Sequence, residues 1–214
     1  MARLILTTRR GQRVLSPPDL EAALGAALQE GDSFWVDAQE PGADQVAILE
    51  RVLGLQPVAV AEVRRPSQLP RVEVYPGHAV LVVHAVEVDR ESRIPVHRVE
   101  VDCILGPRFL VTVHVREGTA VDEMHRRLEG GAPFPATPDL LLAGVIDLLV
   151  KQLYHGLDYL ADSVAVLAGI YGMNFGYMPE LGWKYGYPVT LLLMVIAGYG
   201  MYRWFRARGW FGEP

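Results

Sequence analysis

A single cysteine, Cys103, stands in this chain of 214 residues, so neither an internal disulfide nor a zinc site built on paired thiolates can form. Its apolar neighbours Val101 and Ile104 mark it as an expected buried strand residue. The histidines (His78, His84, His97, His114, His125 and His155) have no tight ligand spacing and are expected as scattered core or surface residues. A His-x-x-x-Glu metal motif, a Gly-rich phosphate loop and a nucleophile elbow are absent. No set of base, nucleophile and oxyanion donors can be assembled, which argues against an enzyme. Met1 to Arg10 hold too brief an apolar stretch for a signal peptide, so the soluble part is expected to start in the cytoplasm. Positive charge is scarce too: residues 1–162 hold 16 Lys and Arg against 23 Asp and Glu, a net of −7. That balance argues against nucleic acid and permits divalent cations as partners, although solubility alone also accounts for it.

What is present divides into two parts. Residues 1–135 read as an α/β domain. Leu4–Thr8 is an opening strand; Ser16, Pro17 at the first helical position and Asp19 start a helix to about Gln29, which Gly31 stops. Ser33–Asp37 is a short strand, Pro41-Gly42 a turn, and Asp44 the expected cap of a helix through Leu53 with Val46, Leu49, Val52 and Leu53 on one face. A brief helical piece follows Pro57. Arg71–Tyr75, Ala79–Val88, His97–Leu105 and Phe109–Val113 are β-branched runs with short spacers, an antiparallel meander. Ala120–Leu128 is a helix closed by Gly130-Gly131. Pro138-Asp139 opens a long helical stretch from Leu140 to about Asp162, which Gly144 and Gly156 weaken without breaking.

The second part is membrane-like. Hydrophobic residues make up 50% of the chain, and the excess lies here. Tyr185 to Tyr202 contains no charge over 18 positions and as a helix reaches roughly 27 Å, close to the hydrocarbon thickness. Tyr185, Tyr187, Tyr199, Tyr202, Trp204 and Trp210 cluster near its ends, and Arg203, Arg206 and Arg208 follow, which places the C-terminus in the cytoplasm. A buried core helix is the competing reading, but such helices rarely end in Arg with Trp anchors. With both ends cytoplasmic the chain must cross twice. Only Ser163–Gly172 could be the uncharged helix before the loop; extending it upstream brings in Lys151, His155, Asp158 and Asp162. Each acidic or basic residue near mid-bilayer costs about 2.5–3.5 kcal/mol on insertion scales.

Tyr171-Gly172-Met173-Asn174-Phe175-Gly176-Tyr177-Met178-Pro179-Glu180-Leu181 closely resembles the signature loop of the CorA family of magnesium channels. Further matches follow in order. Phe34-Trp35-Val36-Asp37 with Glu40-Pro41 resembles the family's strand and acidic-Pro turn, and Gly54-Leu55-Gln56-Pro57-Val58-Ala59-Val60-Ala61-Glu62 its Gly-Leu-His-Pro segment. Leu69 to Tyr75, Leu105 to His114 and Pro138 to Leu142 continue the resemblance, which covers nearly the whole chain in two blocks, about 1–162 and 163–214. Between the blocks, most of the family's stalk helix and part of its first transmembrane helix are missing.

The resemblance implies an α+β (α/β) cytoplasmic domain with a mixed, largely antiparallel sheet, plus a C-terminal α-helical membrane hairpin. Its expected parts are a cytoplasmic domain (1–135), a stalk remnant (136–162), a truncated first transmembrane segment ending in the Gly-Met-Asn loop (163–178), an external loop (179–186), a transmembrane helix (187–204) and a basic tail (205–214). It implies passive transport of Mg2+, with cobalt or nickel as further ions, by a homopentamer in the inner membrane, and no organic cofactor. The alternative is a non-conducting, membrane-anchored magnesium-binding or regulatory remnant.

Mg2+ sheds water reluctantly, so a filter for it can read the hydrated ion through neutral carboxamide oxygens. The family relation gives that task to a ring of Asn174 side chains, with Tyr171, Gly172 and Met173 shaping the turn and Glu180 attracting cations outside. Without the family, Asn174 reads as an ordinary turn residue. Asp89, in the turn after Val88, matches an acidic residue that binds regulatory magnesium in the family; a solvated turn aspartate is the competing reading.

Overall fold

The computed structural model describes residues 3–63, 69–88, 96–115, 120–172 and 185–207. Two compact units emerge, Met1–Leu160 and Ala161–Pro214.

In the first unit the strands are β1 (Arg3–Thr8), β2 (Gly11–Leu15), β3 (Phe34–Gln39), β4 (Arg71–Tyr75), β5 (His78–Val88), β6 (Val96–Leu105) and β7 (Phe109–His114). They form one sheet in the order β2-β1-β3-β7-β6-β5-β4. All neighbours are antiparallel except β3 and β7, which run parallel with Trp35 opposite Leu110 and Asp37 opposite Thr112. The sheet is therefore mixed and largely antiparallel, as expected. Strand alternation divides its side chains between two helical layers. Helices α1 (Leu20–Glu30), α2 (Ala43–Leu53) and α3 (Pro57–Val63) cover Leu4, Leu6, Val36, Val80, Val82, Ile104 and Val111 on one face. On the other, α4 (Ala120–Glu129) and the first turns of α5 (Pro138–Gly172) cover Trp35, Val99, Val101, Cys103 and Leu110. Cys103 is fully buried, as expected.

Local signals explain most boundaries. Gly31 ends α1 in the left-handed conformation, at φ 78°, where a side chain would be strained. The expected Asp44 cap is corrected. Gly42 is the N-cap of α2, and its N–H donates to Oε1 of Gln45 at 2.7 Å, because the acceptor three residues on reaches back to the exposed amide. Strand β2 was not expected, since only Leu15 of its five residues is buried and no alternating pattern announces it. It forms because the Arg9-Arg10 turn and Gly11 return the chain along β1.

The long helix also departs from expectation. Instead of stopping near Asp162, α5 runs unbroken for 35 residues to Gly172, roughly 52 Å. Pro138 and Asp139 open it, and the Thr137 hydroxyl holds the Asp139 carboxyl below the ordinary carboxylate range. Gly144 sits where an added Cβ would lie 2.7 Å from Cε of Met124, so the missing side chain lets α4 and α5 approach closely.

In the second unit, α6 (Gly186–Ala207) spans 22 residues and contains the expected apolar stretch.

Candidate functional site

Tyr171 and Gly172 are the last two residues of α5, and α6 begins at Gly186, so helices flank the signature loop on both sides. Met173, Asn174 and Glu180 lie outside the described residues, as does Asp89, one position beyond the end of β5.

The approach to the loop is patterned. Asp147, Lys151, His155, Asp158 and Asp162 recur at spacings of four, four, three and four, which puts them on one stripe of α5. Lys151 Nζ donates to Asp147 Oδ2 at 2.6 Å, an exposed i,i+4 pair. Val150, Leu153 and Leu157 are exposed on α5, whereas Leu141, Leu142, Val145, Leu148 and Leu149 are buried against the sheet. Among the described residues, Pro138–Tyr159 is the one helical window long and apolar enough to cross a membrane, and 33% of it is buried. The buried third is core packing, chiefly by Leu141, Leu142, Val145, Leu148 and Leu149. In α6 the apolar stretch is Leu191–Gly200, and every residue from Leu191 through Ile196 is exposed. Six successive exposed apolar side chains point to every side of that helix.

Two polar clusters in the sheet were not legible as clusters in the sequence. Under α4, the buried Asp37 carboxylate accepts from the Thr112 hydroxyl at 2.6 Å, and Thr112 Oγ1 in turn accepts from Trp35 Nε1 at 3.0 Å. His114 Nε2 lies 3.2 Å from Asp37 Oδ1, and His125 Nε2 lies 3.2 Å from Oδ2. The His125 ring stacks on Trp35, with centroids 4.0 Å apart. Burial raises the Asp37 pKa, but the two histidines and Thr112 outweigh it and hold the carboxyl down at about 2. The scattered-histidine expectation is therefore corrected: β3, β7 and α4 bring two of the six together. The cluster has no nucleophile, and its members are all but inaccessible, which makes it a polar lock between α4 and the sheet.

On the opposite face, Glu100 and Asp102 project side by side from β6. His84 Nε2 of β5 lies 3.1 Å from Glu100 Oε2. Asp102 sits between Val82 and Val113 in the sheet register, with Oδ1 buried and unpartnered. Burial first, then the charge of Glu100, push its carboxyl up to about 7, against the opposing pull of Arg71. Burial likewise pushes the Cys103 thiol up to about 12. Among the described residues no group of three His, Cys, Asp or Glu is arranged to hold a metal ion.

A mixed-sheet α+β domain followed in sequence by a helix with a long apolar stretch, Leu191–Gly200, defines the class of the chain. The comparisons make the assignment specific. The family model described as "CorA-like Mg2+ transporter protein" matches residues 30–165 and 164–207. The chain therefore belongs to the CorA-like Mg2+ transporter family, whose members are ion transporters and not enzymes. It is 23% identical over 297 aligned positions to YfjQ of Bacillus subtilis (strain 168), a protein assigned as a metal ion transporter, covering 83% of this chain and 90% of that one. It is 53% identical over 61 residues to the magnesium transport protein CorA of Mannheimia succiniciproducens, which is 28% of this chain and 19% of the relative. The complete CorA magnesium transporter of Methanocaldococcus jannaschii superposes with a TM-score of 0.54 at 14% identity over 99% of both chains. The soluble domain of that protein gives 0.58 at 15% identity, over 78% of this chain and 63% of that one. The fold is the CorA cytoplasmic-domain fold.

Proposed function

We propose that this chain is a subunit of a passive Mg2+ transporter, with the divalent cation as cargo and cobalt or nickel as substitutes of similar hydration. The observation that carries the reading is the continuity of α5 from the packed domain to Tyr171-Gly172, directly before Met173-Asn174. The helix hands the chain to the loop without a break at Asp158–Asp162. An Asn174 carboxamide then offers a neutral oxygen to water held by Mg2+, and Glu180 raises the local cation concentration by its field. Two membrane segments, 163–178 and 187–204, form a hairpin with 179–186 outside. Five copies close the pore in the inner membrane, with the domain and the Arg-rich tail in the cytoplasm. Asp89 contributes to a regulatory Mg2+ site.

A second reading has its own support. Only ten uncharged residues, Ser163–Gly172, precede the loop, roughly 15 Å of helix against a hydrocarbon core of about 30 Å. The family match falls in two pieces that overlap at residues 164–165, and the alignment to YfjQ, at 297 positions, is longer than the chain. Both features support a segment missing between stalk and pore helix. In this reading the chain is a non-conducting, membrane-anchored member that binds magnesium or regulates relatives. Purified chain in liposomes loaded with a Mg2+-sensitive dye separates the two. Uptake that Asn174→Ala abolishes establishes the transporter; no uptake above protein-free liposomes rejects it and leaves the anchored reading.

A further inference from the structure

We propose that the cleft between α4 and α5 binds a phosphate-bearing anion. The cleft is a cavity of about 290 Å3 lined by Glu123, Arg126 and Arg127 of α4 and by Leu148, Lys151 and His155 of α5. That volume is at the lower edge of ligand cavities, the size for a small headgroup. Its charge runs against its surroundings: three cations and one carboxylate line it, in a part of the chain whose net charge is −7.

The cations are held in place. Glu123 Oε2 accepts from Arg126 Nε at 3.1 Å and Nη2 at 2.9 Å, while Oε1 accepts from Arg127 Nε at 3.0 Å. These contacts hold the Glu123 carboxyl below its ordinary value, with Arg127 the largest cause. One carboxylate thereby orients two guanidinium planes and consumes only part of their donors, since each guanidinium carries five N–H groups. Lys151 keeps donors beyond its bond to Asp147, and it lies one turn from His155, on the same side of α5. Leu148 is buried, so its apolar side chain closes the cleft on the α5 side.

With Asp147 paired to Lys151, three cations face two carboxylates, so one positive charge and the spare N–H donors of both helices remain for an anion to meet. A phosphate offers three or more oxygens and up to two charges, and can accept from both helices at once. Bound there, it ties α4 to α5, the helix that leaves the domain toward residues 163–172. The same chemistry comes from a free phosphate or from a phospholipid headgroup.

The test is titration calorimetry on the full chain in a neutral detergent, with inorganic pyrophosphate in one arm and dihexanoyl phosphatidic acid in the other. Binding in either arm, weakened about tenfold or more by Arg127→Gln with Lys151→Gln, supports the site, and the stronger arm identifies the source. Both exchanges are at exposed positions; should the pair fail to fold, each single exchange is titrated with the same expectation. Binding weaker than about 1 mM in both arms overturns the proposal, as does unchanged affinity in the folded variants.

Discussion

Replacing Asp102 with Asn is expected to stabilise the domain at pH 8 and to change little near pH 4. Asp102 is 5% exposed and sits between Val82 and Val113 in the sheet register, beside Glu100. Its carboxyl titrates at about 7 in the fold against 3.8 ordinarily. A raised acid binds its proton more tightly in the folded state. Its favourable contribution is complete below pH 3.8 and is lost as pH rises through about 7. At about 1.36 kcal/mol for each tenfold change in proton affinity, the rise from 3.8 to about 7 is worth about 4 kcal/mol, which the ionised folded state forfeits above pH 7. Asn keeps the shape and removes the charge. The attraction of Arg71 is already contained in that net value, and burying the Asn amide offsets part of the gain, so about 2–4 kcal/mol remains at pH 8, or a melting-temperature rise of roughly 10 °C. The assay is thermal unfolding of the purified chain in detergent, followed by circular dichroism from pH 4 to pH 8. A stabilisation that grows with pH supports the assignment. An equal effect at every pH, or destabilisation at pH 8, refutes the reasoning.

Asp37 carries the opposite sign. Its folded value of about 2 means that its contribution is present above pH 3.8 and disappears as pH falls through about 2. Asp37→Ala strands His114, His125 and Thr112 in the core and is expected to cost about 3–5 kcal/mol at pH 7 in denaturant unfolding, with the difference from the parent shrinking below pH 4. Gly106→Ala is expected to cost about 1–3 kcal/mol, because the added Cβ would meet the buried Phe109 ring 2.3 Å from Cζ; a melting temperature equal to the parent's would contradict this.

The elements that read most clearly in the sequence are those whose own side chains specify them. The β-branched runs of β5, β6 and β7 appear within a residue or two of their expected ends, and the Gly31 stop falls where α1 ends. Strand β2 was not legible because an edge strand with one buried residue needs no hydrophobic alternation; its partner β1 defines it. The helix was expected to end near Asp162, with 163–178 as a separate segment, yet Asp158 and Asp162 sit on the charged stripe of α5 and the helix continues past them to Gly172. The Asp37 cluster escaped for another reason. Thr112 and His114 lie 75 and 77 positions from Asp37, so only the parallel pairing of β3 with β7 brings them together. The loop that carries the resemblance lies, beyond Tyr171 and Gly172, outside the described residues.

The transporter reading requires two membrane crossings with the loop outside. Asn174→Cys tests that requirement, because the only native thiol, Cys103, is buried and held near pKa 12, and is therefore silent toward thiol reagents. In intact cells exposed to a membrane-impermeant maleimide, the account expects Asn174→Cys to be labelled and the parent chain to remain unlabelled. Labelling of Asn174→Cys only after the membrane is permeabilised would place the loop on the cytoplasmic side and contradict the account.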